Sequence, residues 1–233
     1  MNLFLAKARR FDYLIILFFL ILVGFLYFYK IGQITPGMFA DEIYVAKMSE
    51  NLLKLKKFTP FVTDNFGHPT PQLYLIGWVL KTFGRSIVNI RLISIIFGIG
   101  NCILFYIFLR LFFDKKVSFF GNLLFLGSYV HIIVSRFAYE MTAGIFFDIA
   151  LLISFFLYIK KNSFINLLLI SLSLGLGLYT YLGFRIFASM SFIISLFYIW
   201  KNKLFIKNKF FHTLVLTGSL FIILFPLIKY SVK

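Results

Sequence analysis

The sequence predicts an all-α polytopic membrane protein, and three observations carry the prediction. Of its 233 residues, 61% are hydrophobic and 21% aromatic, with a mean hydropathy of +0.94; soluble domains run closer to half apolar. The apolar residues fall in runs at roughly 13–30, 70–83, 86–113, 117–135, 141–159, 165–181, 184–200 and 211–229, most of them close to the ~20 residues that cross a bilayer as a helix. The 24 basic residues outnumber the 8 acidic ones but gather in short clusters between the runs. Polytopic membrane proteins carry charge in this way, so the net charge of +16 does not point to nucleic acid.

The first run follows Lys7, Arg9 and Arg10 and extends from Tyr13 to Tyr29. It is longer than the apolar segment of a signal peptide, is rich in aromatics and lacks a small-residue cleavage site, so it reads as an uncleaved spanning helix. If all eight runs spanned, Lys115-Lys116, Lys160-Lys161 and the cluster from Lys201 to Lys209 would face opposite to the N-terminal cluster, against the bias of short cytoplasmic loops toward Lys and Arg. Removing one early run brings every short basic loop to the cytoplasmic side. The run to remove is 70–83, about 21 Å long as a helix against a core of about 30 Å, bounded by Pro69, Pro71 and Gly84 and containing Lys81. It reads as a re-entrant or interfacial helix. About seven spanning helices remain in a single module over 1–233, with the N-terminus cytoplasmic, Lys233 outside and an external loop over about 31–85.

Within that loop, residues 41–57 place Ile43, Val45, Ala46, Leu52, Leu53 and Leu55 beside Lys and Glu, the spacing of an amphipathic surface helix. Its lysines, Lys47, Lys54, Lys56 and Lys57, are an exception to the charge bias, in which long loops weigh little. The single cysteine, Cys102, lies inside an apolar run and reads as structural, so there is no disulfide framework or thiolate metal site.

This topology gathers Asp41, Glu42, Asp64, His68, Arg136, Glu140, Tyr179, Tyr181 and Arg185 on one side. Each has an ordinary reading as well as a functional one. Arg136 and Glu140 stand at i,i+4 and suit a surface pair; Asp41 follows Thr35-Pro36-Gly37 and suits a helix N-cap. His68, after the turn-forming Asp64-Asn65-Phe66-Gly67, is a solvated loop histidine, a metal ligand or a phosphate partner. Tyr179, Tyr181 and Arg185 suit an aromatic belt with a snorkelling arginine. Asp41 and Glu42 point about 100° apart on a helix, so only one can face a given cleft while the other pairs or caps. Asp148, about 12 Å along its helix from Glu140, needs a polar partner at that depth, for which Asn122 and His131 are candidates.

The order of these features resembles the N-terminal half of the GT-C fold glycosyltransferases, in particular the bacterial relatives of the protein O-mannosyltransferases and the lipid A aminoarabinose transferases. The resemblance runs over almost the whole chain. One spanning helix leads to Asp41-Glu42 and an amphipathic helix; Gly67-His68-Pro69-x-Pro71-x-Leu73-Tyr74, Phe83-Gly84 and Arg91-Leu92 follow. Arg136-x-x-x-Glu140 and Tyr179-x-Tyr181-x-x-x-Arg185 complete it. The resemblance implies an integral enzyme of the plasma or inner membrane that moves a sugar from a polyprenyl-phosphate carrier to a lipid, glycan or protein acceptor on the outer face, with inversion. It implies Asp41 as the catalytic base and Glu140 as a second acid that orients the acceptor or a divalent ion. Glu42, Tyr44, His68, Arg136, Tyr179, Tyr181 and Arg185 are the expected substrate contacts. A phosphate leaving group requires cations rather than a general acid, which suits Arg136, Arg185 and His68. The aminoarabinose transferases carry an acid and a lysine where this chain has Gly67 and His68, so metal binding, if it occurs, falls to Asp64 and His68. Family members usually continue with further helices, so this chain is expected to be a catalytic module lacking a C-terminal part. A polytopic transporter or lipid flippase, or an inactive truncated module, is the alternative; a transporter would concentrate its polar groups nearer the bilayer midplane.

Overall fold

The computed structural model describes residues 10–34, 37–55, 57–64, 67–201 and 209–231. The basic residues Lys7 and Arg9, the Thr35-Pro36 step, Lys56, the Asn65-Phe66 turn, most of the 201–209 cluster and Lys233 lie outside the described residues. Those described form ten helices: α1 (Arg10–Phe28), α2 (Ala40–Lys54), α3 (Pro71–Phe83), α4 (Ile87–Phe112), α5 (Lys115–Gly127), α6 (Tyr129–Arg136), α7 (Met141–Lys161), α8 (Phe164–Gly177), α9 (Phe184–Lys201) and α10 (Lys209–Ser231). A two-residue hairpin, β1 (Phe61–Val62) and β2 (His68–Pro69), pairs antiparallel with Phe61 opposite Pro69. The protein is an all-α polytopic membrane protein.

Local chemistry sets the breaks. Pro71 opens α3, and Gly84, at φ +83°, closes it with its N–H on Leu80 O at 3.0 Å. Ser86 caps α4 by accepting from Asn89 N–H at 3.1 Å, and Asp114 caps α5 by accepting from Val117 N–H at 2.8 Å. The region 70–83 forms a short helix of its own, as expected. Among the described residues four helices are long and apolar enough to span: α4, α7, α9 and α10. The run 117–135, expected as one straight span, is instead α5 and α6 meeting at 60°. The break falls at Gly127-Ser128, a pair of the type that kinks helices. With α1 and α8 as shorter apolar helices, the seven apolar segments inferred from charge parity are all helical.

Two compact units result, one of residues 1–58 and 70–146, the other of 59–69 and 147–233. In the first, α2 lies against α3 so closely that a Cβ at Gly77 would stand 2.6 Å from Ser49 O. Phe19, Val23, Tyr27 and Ile31 pack with Ile95, Cys102 and Tyr106 of α4 and Leu126 of α5. The second builds its core from Leu151, Tyr158, Leu167, Ile170, Leu174, Phe184, Ala188, Ile199 and Leu216. There α8 and α10 approach at Gly175, where a Cβ would be 2.7 Å from Ile223, the small-residue contact that lets membrane helices pack without a hydrophobic driving force.

Candidate active site

The sequence of α2 decides which acid faces where. Its buried stripe is Glu42, Val45, Met48, Ser49 and Leu52, a helical spacing that turns Asp41 and Tyr44 outward, both exposed. The apolar face expected for this helix is rotated: Ile43 and Leu55 are exposed, each 54%, and a glutamate takes a central inward position. Asp41 is not the N-cap. Phe39 holds that place, and its N–H donates to Glu42 Oε2 at 3.2 Å. Asp41 therefore sits in the first turn, where the helix dipole favours a negative charge.

Glu42, expected to touch substrate, is 1% exposed and paired with Arg91, 0% exposed, near the start of α4. The pair is bidentate, Arg91 Nε to Oε1 at 2.8 Å and Nη2 to Oε2 at 2.7 Å. Arg91 Nη1 also donates to Ile31 O at 2.7 Å and Nη2 to Gly37 O at 3.2 Å. Its guanidinium lies 4.9 Å from the centre of the Phe137 ring, and Ala138 N–H donates to Glu42 Oε1 at 3.1 Å. One buried ion pair thus ties together the chain after α1, the start of α2, α4 and the loop after α6. The geometry satisfies both charges, the condition under which a buried pair is tolerated. Arg91, which sequence reasoning did not include in the site, is the partner of Glu42. The available signal was an arginine near the start of a 28-residue apolar run that holds one other, Arg110, close to its far end, a costly placement unless paired.

The loop carrying the second acid is fixed from below. Tyr139 O accepts from Gln72 Nε2 at 3.2 Å and Ser94 Oγ at 3.3 Å. Phe137 packs edge-on against Phe39 and stacks with Tyr139. Burial first, then the carboxylates of Asp41 and Glu42, push the Tyr139 phenol above its usual range. Asp41 and Tyr139 therefore feel one another across the same corner. Glu140 follows, half-buried, with its carbonyl accepting from Gly144 N–H at 3.2 Å. Arg136, an expected substrate contact, donates from Nη1 to Leu26 O at 2.5 Å and from Nη2 to Tyr29 O at 2.9 Å. It satisfies carbonyls left open at the end of α1.

The remaining expected site residues belong to the second unit. Asp64 is exposed and His68 half-buried in β2. Gly67 before it has φ +86°, and a Cβ there would lie 2.6 Å from the Phe61 ring. That backbone conformation favours glycine over any residue with a side chain. Tyr179 is buried, its hydroxyl donating to Ile223 O at 2.9 Å; it is a helix tie rather than a free belt residue. Tyr181 and Arg185 are exposed. Asp148 Oδ1 carries no hydrogen bond among the described residues; in the first unit Asn122 donates to Cys102 Sγ and Tyr27 shares a hydrogen bond with His131 Nδ1. Among the described residues no three His, Cys, Asp or Glu side chains group as a metal cage, and Asp64 with His68 supplies two ligands at most.

The profile of the dolichyl-phosphate-mannose-protein mannosyltransferase family matches residues 67–228, more than half of the chain. The chain belongs to that family. It is therefore of the GT-C type, a mannosyltransferase-like membrane glycosyltransferase. The matched region includes Arg91, Arg136 and Glu140 and begins after Asp41-Glu42, so the acidic pair rests on its geometry. No curated protein matches the chain.

Proposed function

We propose that this mannosyltransferase-family chain transfers a hexose or pentose from a polyprenyl-phosphate carrier to a lipid, glycan or protein hydroxyl at the outer face of the plasma or inner membrane, with inversion and with Asp41 as the base. The observation that carries this reading is the division of the acidic pair. Glu42 is locked into the clasp with Arg91, which leaves Asp41 as an exposed carboxylate on the first turn of α2, its charge felt by the Tyr139 phenol.

In the proposed reaction the Asp41 carboxylate accepts the acceptor hydroxyl proton as that oxygen attacks the anomeric carbon. The sugar–phosphate C–O bond breaks with its electron pair leaving on the carrier phosphate, which departs as an anion and requires no general acid. Glu140 and Tyr139, on the loop tied to Glu42, orient the acceptor. His68, Tyr44, Tyr181 and Arg185 remain proposed substrate contacts on the family resemblance. Arg136 and Tyr179 support the site by holding helix ends. No step is assigned to a metal ion.

The test is sugar transfer from a labelled polyprenyl-phosphate donor in membranes containing the chain. Asp41→Asn should lower the rate by ~10²–10⁴, the usual contribution of a general base, with folding unchanged. Full activity in that variant would end the assignment. For orientation, Lys116→Cys should resist an impermeant thiol reagent from outside while Gly183→Cys is labelled.

A further inference from the structure

The face of α2 opposite Asp41 carries a feature the proposed reaction does not use. Residues Ile43, Ala46, Lys47 and Glu50, spaced along one stripe, line a cleft of about 520 Å³ with Met38, Leu80, Arg85, Ser86, Ile87 and Ile90. A second cleft of about 370 Å³ adjoins it, sharing Glu50, Leu80 and Arg85 and adding Leu53, Lys54, Gly77 and Lys81. Both volumes fall in the range of ligand clefts, about 300–1,000 Å³. The floor of the first cleft is largely apolar, the second is about as polar as apolar, and among their lining residues Lys47, Lys54, Lys81 and Arg85 stand against Glu50 alone. Glu50 and Arg85 form a bidentate pair on the ridge between the clefts. Arg85 is open to water, 79% exposed, so the pair is weak and exchangeable, and the guanidinium fork suits a phosphate as well as a carboxylate. Beside the clefts, Trp78 (62% exposed) and Phe83 (70%) present aromatic side chains, with Lys81 Nζ 6.0 Å from the Trp78 ring, the pattern of a segment seated at a lipid headgroup layer.

We propose that the α2–α3 layer is a docking site for anionic phospholipids of the surrounding bilayer, an acyl chain lying on the apolar floor and the phosphate meeting Lys47, Arg85 and their neighbours. Charge complementarity selects this occupant: across the two adjoining clefts, the first of them largely apolar, four cations stand against one exchangeable acid in a protein immersed in lipid. It also accounts for the lysines of the 31–85 loop, which run against the charge bias of the rest of the chain. A neutral lipid gains nothing from the rim, whereas each basic residue near an anionic headgroup layer favours it by about fivefold.

The experiment places the full chain, as Trp200→Phe so that Trp78 is the sole tryptophan, in bilayers containing equal fractions of brominated phosphatidylglycerol or brominated phosphatidylcholine. Preferential quenching of Trp78 by the brominated phosphatidylglycerol, of about fivefold or more in apparent affinity, falling as salt is raised, supports the site. The preference should vanish in Lys47→Gln/Lys54→Gln/Lys81→Gln/Arg85→Gln, whose substitutions are all at the rim. Equal quenching by the two lipids, or a preference unchanged by the fourfold variant or by salt, overturns it. Displacement of brominated phosphatidylglycerol by an equal concentration of a short polyprenyl phosphate would also overturn it, by assigning the cleft to the sugar carrier.

Discussion

The two units of this chain are held together by different chemistry. In the first, buried polar groups bridge segments far apart in sequence: Glu42 with Arg91, Arg136 with Leu26 O and Tyr29 O, Asn101 with Thr142 O, Tyr106 with Asp12. In the second, helices pack through aliphatic and aromatic side chains and close glycine contacts, with isolated ties such as Tyr179 to Ile223 O. Polar clasps fix geometry steeply and fail abruptly, because a broken buried pair leaves a charge without a partner. Apolar packing fails gradually, with cost scaling to the atoms removed or inserted. The first unit is therefore the one suited to hold a carboxylate at a set position.

Substitutions can break this contrast. Glu42→Ala should have the largest effect, about 3–5 kcal/mol of stability, because Arg91 remains buried and unpaired. Denaturant or thermal unfolding in detergent measures it, and a Glu42→Met/Arg91→Met double variant should recover much of the loss. Equal losses in the single and double variants would show that the clasp acts through something other than its charges. Next come the glycines. Gly98→Ala places a Cβ 2.7 Å from Ser135 Oγ and 2.8 Å from Tyr27, and Gly175→Ala places one 2.7 Å from Ile223; each overpacking should cost about 1–3 kcal/mol. The Gly98 variant should also lower transfer activity, since its neighbours belong to the unit carrying Asp41, whereas the Gly175 variant should lose stability with less effect on rate. Tyr179→Phe removes one hydrogen bond and should cost about 1 kcal/mol, a minor change beside the clasp.

The smallest effect concerns pH. The hydrogen bond and charge of Arg85 lower the Glu50 pKa below 4.5, so the contribution of the pair is present above about pH 4.5 and is lost as pH falls through the lowered value. With only three glutamates in the chain, selective carboxyl ¹³C labelling can follow Glu50 directly. Its midpoint should lie below 4.5 and move back toward 4.5 in Arg85→Gln. An unchanged midpoint would remove the ridge between the two clefts as an ion pair.

Much of the helical layout was legible because bilayer thickness and hydrogen-bond satisfaction leave an apolar run few options other than a helix. The short helix at 71–83 could be read from Pro71, Gly84 and length. The break at Gly127-Ser128 was missed, since the apolar pattern runs through it without interruption and only packing selects a kink there. At the site, helical spacing already required Asp41 and Glu42 to take different roles. It left open which turned inward, and the N-cap reading of Asp41 failed because Phe39 and Glu42 close that end of the helix. For Arg136 and Tyr179 a polar residue near a membrane edge has the same pattern whether it meets a ligand or ties a helix end. Their actual acceptors are backbone carbonyls, which every residue carries and no sequence marks.

By itself, the sequence determined that this is an all-α membrane protein, where its apolar segments lie and that an acidic pair follows the first of them, because composition and periodicity report directly on solvent and secondary structure. The tertiary structure alone decided that Glu42 is spent on Arg91 and Ala138 while Asp41 stays exposed. Those contacts join residues 49 and 96 positions apart, and no local pattern encodes which of two neighbouring carboxylates a distant guanidinium will reach.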